Sequence, residues 1–224
     1  MLEDFLFPNP RYAPEDGLLA IGGDFQPVRL VAAYAQGIFP WPSPGLPYAW
    51  FSPDPRALLI PEELRVPRRL RRKMRQEPFL LTWDTAFERV IRECASAPRP
   101  GQYGTWITEE LLQGYVGLHE LGVAHSIEAW QGDRLVGGLY GVSLGGMFSG
   151  ESMFYREPDA SKIVLVTLIE RLRDWNFRFF DCQVMTPHAE RFGARDWPRE
   201  AFLDALARAL EQPTRRGRWT SEPG

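Results

Sequence analysis

Polar residues that could carry chemistry follow directly on a run of aromatic residues. Residues 177–184 read FRFFDCQV, which predicts a buried strand that ends on Asp181, Cys182 and Gln183. Because side chains alternate along a strand, we expect Asp181 and Gln183 to share one face and Cys182 to lie on the other. A carboxylate beside a neutral amide can orient an amine or accept its proton. The simpler alternative is an acid that only ends a strand.

A second carboxylate, Glu151, lies in the largely apolar segment FSGESMF at residues 148–154. Gly150 before it predicts a β-bulge or the close approach of a ligand to the backbone. Since Glu151 and Asp181 are expected in the same sheet, the two carboxylates can converge on a cation or an amine. The alternative is an exposed carboxylate on a strand.

The cysteines and histidines do not indicate a metal site. Two cysteines, Cys94 and Cys182, are too few for a disulfide framework or a four-cysteine zinc site. We expect both to be buried structural residues. The three histidines, His119, His125 and His188, follow no metal-ligand spacing, and His119 is expected to face solvent. The sequence gives no reason to expect a metal or another cofactor.

A strongly basic segment contrasts with the overall formal charge of −3. Seven basic residues and no acid lie between Arg65 and Arg75, so their mutual repulsion is uncompensated. Phosphate groups would offset this repulsion, and arginine can pair with them through two hydrogen bonds. We therefore favour a nucleic-acid contact over a solvated helix face. The predicted contact residues are Arg68, Arg69, Arg71, Arg72, Lys73 and Arg75.

Hydrophobic periodicity and turn signals predict the elements that position these residues. Strands over residues 124–130, 134–144 and 147–154 form a meander, and a helix over 161–175 leads to the strand at 177–184. Further helices are predicted to begin near Pro27, Pro67, Asp84, Thr108 and Pro198, with Asp84 and Thr108 as N-caps.

A meander, a helix and a further strand are typical of an acetyltransferase-like (GNAT-like) α+β fold, with a mostly antiparallel sheet whose last strand ends at the active-site cleft. Residues 1–60, rich in proline and glycine, predict a small N-terminal α+β domain, and residues 61–224 the acetyltransferase-like catalytic domain. No apolar run approaches the roughly 18 residues of a membrane span, and the N-terminus has no basic secretory signal. We expect a cytoplasmic monomer.

Nine segments of the chain resemble, in the same order, the bacterial leucyl/phenylalanyl-tRNA–protein transferases. They are FPNPRYAPEDGLLAIGGD, RLVAAYAQGIFPW, WFSPDPRALL, GTWI, LHELGVAHSIEAW, LVGGLYGV, GESMF, ASK and DCQV. The resemblance implies transfer of leucine, phenylalanine or less often methionine from aminoacyl-tRNA to the N-terminal Arg or Lys of a protein. The product would then be marked for N-degron proteolysis.

The resemblance also implies roles for single residues. Asp181 and Gln183 would lie at the reacting centre, with Asp181 as general base or amine-orienting group, and Glu151 would organise the aminoacyl-adenosine end. Whether Asp181 or the ribose hydroxyl takes the proton stays open. The basic segment would contact the tRNA. An apolar pocket for the aminoacyl side chain would be formed by Tyr34, Trp41, Trp106, Tyr115, Leu139 and Leu168.

Two other functions fit parts of the pattern. The fold alone suggests an N-acetyltransferase that uses acetyl-CoA, but the segment YREPDAS after the meander lacks the glycine-rich loop needed for pyrophosphate. A non-catalytic RNA-binding protein accounts for the basic segment but leaves Asp181, Gln183 and Glu151 without a role. The C-terminal residues 213–224, PTRRGRWTSEPG, match no pattern, and the sequence leaves their order open.

Overall fold

The computed structural model describes residues 7–41, 48–97 and 105–220. Within these ranges the chain forms ten strands and seven α-helices. The strands are β1 (Leu18–Ile21), β2 (Phe39–Pro40), β3 (Ala49–Phe51), β4 (Arg56–Leu59), β5 (Leu80–Trp83), β6 (Ala124–Gln131), β7 (Arg134–Leu144), β8 (Met147–Tyr155), β9 (Phe179–Gln183) and β10 (Arg195–Trp197). The helices are α1 (Pro27–Tyr34), α2 (Arg68–Met74), α3 (Phe87–Ser96), α4 (Glu109–Glu120), α5 (Ala160–Asp174), α6 (Pro187–Phe192) and α7 (Arg199–Leu210).

The strands form two sheets. A three-stranded antiparallel sheet has the order β1–β3–β2, and a seven-stranded sheet has the order β10–β4–β9–β8–β7–β6–β5. Neighbours in the larger sheet are antiparallel except β8 and β9, which run parallel. The predicted meander, its following helix and the strand after it are confirmed. So is the α+β class, as a mixed α/β fold with antiparallel and mixed sheets.

Helices cover both faces of the seven-stranded sheet, because side chains alternate along its strands. On β7, Tyr140 and Val142 pack into an apolar cluster with residues of α1, α3, α4 and α7. Val136 and Leu139 of the same strand pack into a second cluster with residues of α2 and α5. The sheet therefore separates two apolar layers, and side chains from β8 and β9 can reach either of them.

Two local predictions are wrong. The N-cap of α3 is Ala86, whereas Asp84 is buried, has a left-handed φ of 54° and accepts a hydrogen bond from the Ser126 backbone N–H at 2.8 Å. His119 is half-buried, with its ring stacked on Phe87 at 4.2 Å. The C-terminal tail is described as far as Thr220, and residues 221–224 lie outside the described ranges.

Strand β4 pairs with strands that lie far from it in the sequence. It comes from the predicted N-terminal residues 1–60, yet it lies between β9 and β10 in the seven-stranded sheet. A boundary at Pro61 would therefore separate β4 from the sheet that it completes. The division into residues 1–60 and 61–224 stays a prediction. Across the described ranges, no helix has both the length and the apolar character needed to cross a membrane.

Candidate active site

The predicted catalytic residues Glu151, Asp181 and Gln183 lie close to the point where β8 and β9 separate. The two strands pair in parallel over a short stretch, in which Met147–Ser149 of β8 pair with Phe179–Asp181 of β9. Further along β8, a bulge inserts Glu151 between the residues that pair with Tyr140 and Gly141 of β7. Bulges re-aim side chains and are common beside active sites. The predicted bulge is confirmed, and it brings Glu151 to the gap between the two strands.

Gly150 allows a neighbouring ring to approach the backbone of β8. A Cβ atom at this position would lie 2.2 Å from Cζ of Phe180, so a larger residue would displace that ring. The close approach that the glycine predicts is therefore made by a side chain of β9.

The Glu151 carboxylate is held by three donors. Its Oε1 accepts hydrogen bonds from Gln183 Nε2 at 2.9 Å and Ser149 Oγ at 3.3 Å, and its Oε2 accepts one from the Tyr115 hydroxyl at 2.7 Å. Burial raises the pKa of Glu151 from its ordinary 4.5 to about 7; the negative charge of Asp181 adds to this rise and the tyrosine hydrogen bonds oppose it. A carboxyl group with this pKa can take up and release a proton at neutral pH.

Two tyrosines extend this network into the core. Tyr34 of α1 and Tyr115 of α4 are 1% and 0% exposed, and their hydroxyl oxygens are 2.7 Å apart. Because Tyr115 donates to Glu151, Tyr34 donates to Tyr115. Burial raises the pKa of both hydroxyls well above 10, which keeps them protonated as donors. The two hydroxyl groups therefore stabilise the Glu151 carboxylate. The prediction that Tyr34 and Tyr115 form the wall of an apolar pocket does not include this role.

Asp181 forms a buried ion pair with Arg56 of β4. Its two oxygens accept hydrogen bonds from Arg56 Nε at 2.8 Å and Nη2 at 2.6 Å, and the side chains are 1% and 2% exposed for Arg56 and Asp181. Asp181 Oδ1 also accepts a hydrogen bond from the Gln183 backbone N–H at 2.8 Å. These three hydrogen bonds fix the orientation of the Asp181 carboxylate, and Arg56 neutralises its charge.

Strand β9 is irregular where it reaches the site. Ala57 and Leu58 of β4 pair with Gln183 and Asp181, so Cys182 is an extra residue in β9, and Gln183 has a left-handed φ of 65°. This conformation costs a non-glycine residue roughly 1 kcal/mol or more, and such strain is found mainly at functional sites. The Gln183 side chain therefore reaches Glu151 through an irregular strand end, and not through the regular alternation predicted from the sequence.

An apolar cavity of about 330 Å³ opens beside Glu151. Cys182 is in its wall and is half-buried, not fully buried as expected, while desolvation raises the pKa of the thiol. His188 also lines it, and its buried Nε2 has no hydrogen-bond partner among the described residues. The wall consists of Leu59, Leu139, Gly150, Glu151, Ser152, Met153, Leu165, Phe180, Cys182, Val184, Thr186, His188 and Ala189.

The other predicted pocket residues lie at different distances from this cavity. Leu139 is in its wall, and Leu168 lies one layer behind, beside a small void that Leu139 also lines. Trp41 is 38% exposed, with its ring 6.1 Å from that of Phe51. Trp106 is partly buried against the cluster around α1, α3 and α4. Leu139 is thus the predicted residue with direct access to the cavity.

The basic segment forms α2 and the residues around it. Lys73 Nζ lies 3.2 Å from Asp159 Oδ2, and Arg71 Nη1 lies 3.5 Å from Glu170 Oε1, so both are paired within the protein. Four of the arginines predicted to contact nucleic acid are exposed and make no ion pair within the described part of the chain. They are Arg68, Arg69, Arg72 and Arg75.

Two surface grooves connect this basic segment with the cavity. The first, along α2, is lined by Arg68, Arg69, Arg72, Lys73, Gln76 and Asp159. The second is lined by Met153, Tyr155, Pro158, Asp159, Ser161, Lys162 and His188. The grooves share Asp159, and the second shares Met153 and His188 with the cavity. The second groove therefore adjoins both the cavity that contains Glu151 and the groove along the exposed arginines.

Sequence reasoning missed three residues of this arrangement. Arg56 is the single charged residue of the short strand RALL, a signal that could have suggested a buried ion pair. Tyr155 is 66% exposed at the end of β8, and Lys162 follows it on α5; neither residue has a signal of its own in the sequence. Among the described residues, no group of three or more His, Cys, Asp or Glu side chains could hold a metal ion.

Comparisons with known proteins give a consistent result. The family model described as leucyl/phenylalanyl-tRNA protein transferase matches residues 58–207, and the model of its N-terminal domain matches residues 23–54. The leucyl/phenylalanyl-tRNA–protein transferase of Myxococcus xanthus (strain DK1622) is 59% identical over 96% of this chain and 92% of its own length. The protein of the same name from Oleidesulfovibrio alaskensis is 53% identical over 99% of this chain and 92% of its own.

These matches identify an aminoacyltransferase. The chain belongs to the leucyl/phenylalanyl-tRNA protein transferase family, as its sequence motifs predict. Among solved structures, L-PGS from Bacillus licheniformis aligns over 77% of this chain and 66% of its own, with a TM-score of 0.44 and 9% identity. A likeness of that size supports no argument about fold or function.

Proposed function

We propose that this family member transfers leucine or phenylalanine, and less readily methionine, from aminoacyl-tRNA to the N-terminal Arg or Lys of a protein. The product is marked for N-degron proteolysis. We further propose that the reaction takes place in the cytoplasm and that the active protein is a monomer. The names of the matching proteins and the connected cavity and grooves support the transfer reaction.

The observation that carries the mechanism is the Glu151 carboxylate beside the apolar cavity, with its pKa raised by burial to about 7. An aminoacyl ester is already activated, so the reaction needs a deprotonated amine held in the right geometry. Glu151 accepts a proton from the acceptor amine, and the amine nitrogen bonds to the ester carbonyl carbon. The bond from that carbon to the ribose oxygen then breaks, and the proton passes to this oxygen.

Gln183 and Asp181 orient the reacting groups. Gln183 donates to Glu151, and Asp181 fixes the backbone of Gln183 while its own charge is matched by Arg56. This arrangement favours the orienting role for Asp181 over the general-base role, because Glu151 has the pKa that proton transfer at neutral pH requires.

The apolar cavity suits the side chain of the transferred residue. Leucine, phenylalanine and methionine share hydrophobicity and approximate size, and apolar side chains such as Leu139, Leu165 and Phe180 form much of the wall. His188, whose pKa is lowered by burial and by nearby Lys162 and Arg191, is a neutral imidazole with a free nitrogen for a polar group of the nucleotide.

The two grooves suit the tRNA that carries this residue. Exposed arginines bind phosphates without reading sequence. The second groove contains the exposed ring of Tyr155, on which a base can stack. The single-stranded acceptor end would run from α2 past Tyr155 and end with its ester beside Glu151.

We also propose that the seven-stranded sheet has an acetyltransferase-like fold, since β8 and β9 are parallel and separate at the site. Coenzyme A is the less favoured acyl carrier. Its pyrophosphate would lie at the N-terminus of α5, where Asp159 is the N-cap residue. Hydrogen bonds from Lys162 and Lys73 lower the pKa of Asp159, so a paired carboxylate lies where a pyrophosphate loop would offer backbone N–H groups.

The test of the proposed function is transfer in a purified system. The protein is mixed with leucyl-tRNA and peptides that begin with Arg, Lys, Asp or Glu, and extended peptides are detected by mass spectrometry. We expect extension of the Arg and Lys peptides alone. Acetyl-CoA as the sole donor is expected to give no product. Equal extension of acidic and basic peptides, or acetylation in place of extension, would contradict the proposal.

A further inference from the structure

The C-terminal segment that matches no sequence pattern packs against the seven-stranded sheet through Trp219. This tryptophan is 5% exposed, and its backbone N–H donates to Asp84 Oδ2 at 2.7 Å. The same carboxylate accepts hydrogen bonds from the Ser126 backbone N–H and from His125 Nδ1, each at 2.8 Å. Asp84 therefore joins the tail to the beginning of β6, which fixes the position of Trp219.

The indole ring continues the apolar layer on the α5 side of the sheet. It stacks on the ring of His125, with the centroids 3.8 Å apart and an angle of 8° between the planes. Its centroid lies 5.7 Å from that of Phe148 on β8. Phe148 in turn stacks on Phe180 at 5.7 Å, and Phe180 lines the apolar cavity. Trp219 thus supports one wall of the cavity through a single intervening ring.

A second connection leads from Trp219 to the cavity through Leu139. Trp219, Leu168 and Leu139 line a void that is too small for a water molecule, and Leu139 also lines the cavity. Protein interiors are packed so closely that a wall residue can move back only if the residue behind it yields. The indole ring lines the void into which Leu139 would withdraw.

We propose that Trp219 is a positioning residue that sets the depth of the cavity and thereby the relative use of leucine and phenylalanine. The inference rests on the proposed function, in which this cavity holds the transferred side chain. An apolar pocket discriminates between side chains by the space that it offers, and one methylene group changes kcat/KM by about 10- to 200-fold at most. Removal of bulk behind Leu139 should deepen the cavity and favour the larger phenylalanyl group.

The experiment measures kcat/KM with phenylalanyl-tRNA and with leucyl-tRNA for the full chain and for Trp219→Leu. We expect the ratio of phenylalanine to leucine use to rise at least about threefold, well within the range for a change in apolar pocket size. Loss of stability alone would lower the two rates in proportion and leave their ratio unchanged. Trp219→Phe, which removes less bulk, should give a smaller rise and serves if Trp219→Leu does not fold.

Two further variants make the outcomes distinguishable. Phe177 touches Trp219, with the ring centroids 6.3 Å apart, but lines neither the void nor the cavity, so Phe177→Leu should leave the ratio unchanged. Leu139→Ala enlarges the cavity directly. If Leu139→Ala changes the ratio while the Trp219 variants do not, the role of Trp219 is overturned and the cavity keeps its proposed function. If Leu139→Ala also leaves the ratio unchanged, the proposed use of the cavity is overturned, and the inference with it.

Discussion

The side-chain amide of Gln183 donates a hydrogen bond to Glu151 Oε1 over 2.9 Å, across the gap where β8 and β9 no longer pair. Glu151 is the inserted residue of a bulge, and Gln183 has a left-handed backbone conformation. Each side chain reaches the other because its strand is irregular at that residue.

Replacement of Glu151 by Gln should abolish most of the transfer activity. The amide keeps the shape of the side chain but cannot accept the proton of the amine, so kcat should fall by at least about 10²-fold. Binding of aminoacyl-tRNA, measured by filter retention, should stay within about twofold of wild type. Wild-type turnover by Glu151→Gln would exclude Glu151 as the base.

The pH profile provides a separate check on Glu151. Below pH of about 7 the carboxyl group becomes protonated, so kcat/KM of the wild type should fall as the pH decreases through this value. The acceptor amine also titrates, with an ordinary pKa of about 8, and the residual activity of Glu151→Gln should follow that ionisation alone. Identical profiles for the two proteins would contradict the assignment.

The raised pKa of Glu151 also predicts how stability depends on pH. The group favours the folded state fully below its ordinary pKa of 4.5, and this contribution is lost as the pH rises through the folded value of about 7. Glu151→Gln, which stays neutral, should therefore gain in Tm relative to wild type between pH 5 and pH 8. Thermal unfolding at the two pH values measures this, at roughly 2–4 °C for each kcal/mol. An equal difference at both values would contradict the raised pKa of Glu151 in the folded state.

The ion pair of Arg56 with Asp181 should be needed for both stability and transfer. Asp181→Asn leaves the Arg56 charge buried without its partner, which costs about 3–5 kcal/mol in comparable cases. Transfer should fall at least about tenfold because Gln183 loses its support, while tRNA binding stays near normal. The double variant Arg56→Gln/Asp181→Asn removes the unpaired charge, so it should recover stability without recovering activity. Recovery of both would reduce Asp181 to a purely structural residue.

The exposed arginines of the basic segment should control the salt dependence of tRNA binding. Each lost phosphate contact should make the log–log salt slope shallower by roughly one unit. Arg68, Arg69 and Arg72 suit this test better than Lys73, which binds Asp159, so the variant replaces these three arginines by Gln. A control with the same change in charge replaces the exposed Arg178, Arg208 and Arg216.

The outcome of this salt titration separates binding from chemistry. The control should keep the wild-type slope, and transfer from a short aminoacyl-adenosine donor should hardly change in either variant. If the slope of the groove variant equalled that of the control, the basic segment would be only a solvated surface.

The sequence predicts much of the fold because its signals are local. The strand at residues 134–144 follows from the residues between a QGD turn and a glycine pair, and β7 has these bounds. The prediction for Asp84 fails because its carboxylate bonds to His125 and to the Trp219 backbone, and the second of these residues is 135 positions away. Local capping signals contain no information about such partners.

In the candidate site, too, local sequence signals identify residues but not their distant partners. Asp181, Gln183 and Glu151 can be selected from their residue types and their neighbours, and the structure brings Gln183 and Glu151 into contact. Their roles depend on Arg56 and on the hydroxyl groups of Tyr34 and Tyr115, which come from elements far apart in sequence. Both tyrosines fit an apolar pattern, so periodicity identifies them as core and gives no indication of their hydrogen bonds.

The position of β4 has a consequence for the order of folding. This strand pairs with β9 and β10, and Arg56 reaches Asp181 across 125 positions of the chain. Closing so long a segment costs conformational entropy before the new contacts return any stabilisation, and long-range strand pairing slows folding. The β6–β7–β8 meander can form early from neighbouring residues, whereas the reactive end of the sheet must assemble late, when the two distant parts of the polypeptide come together.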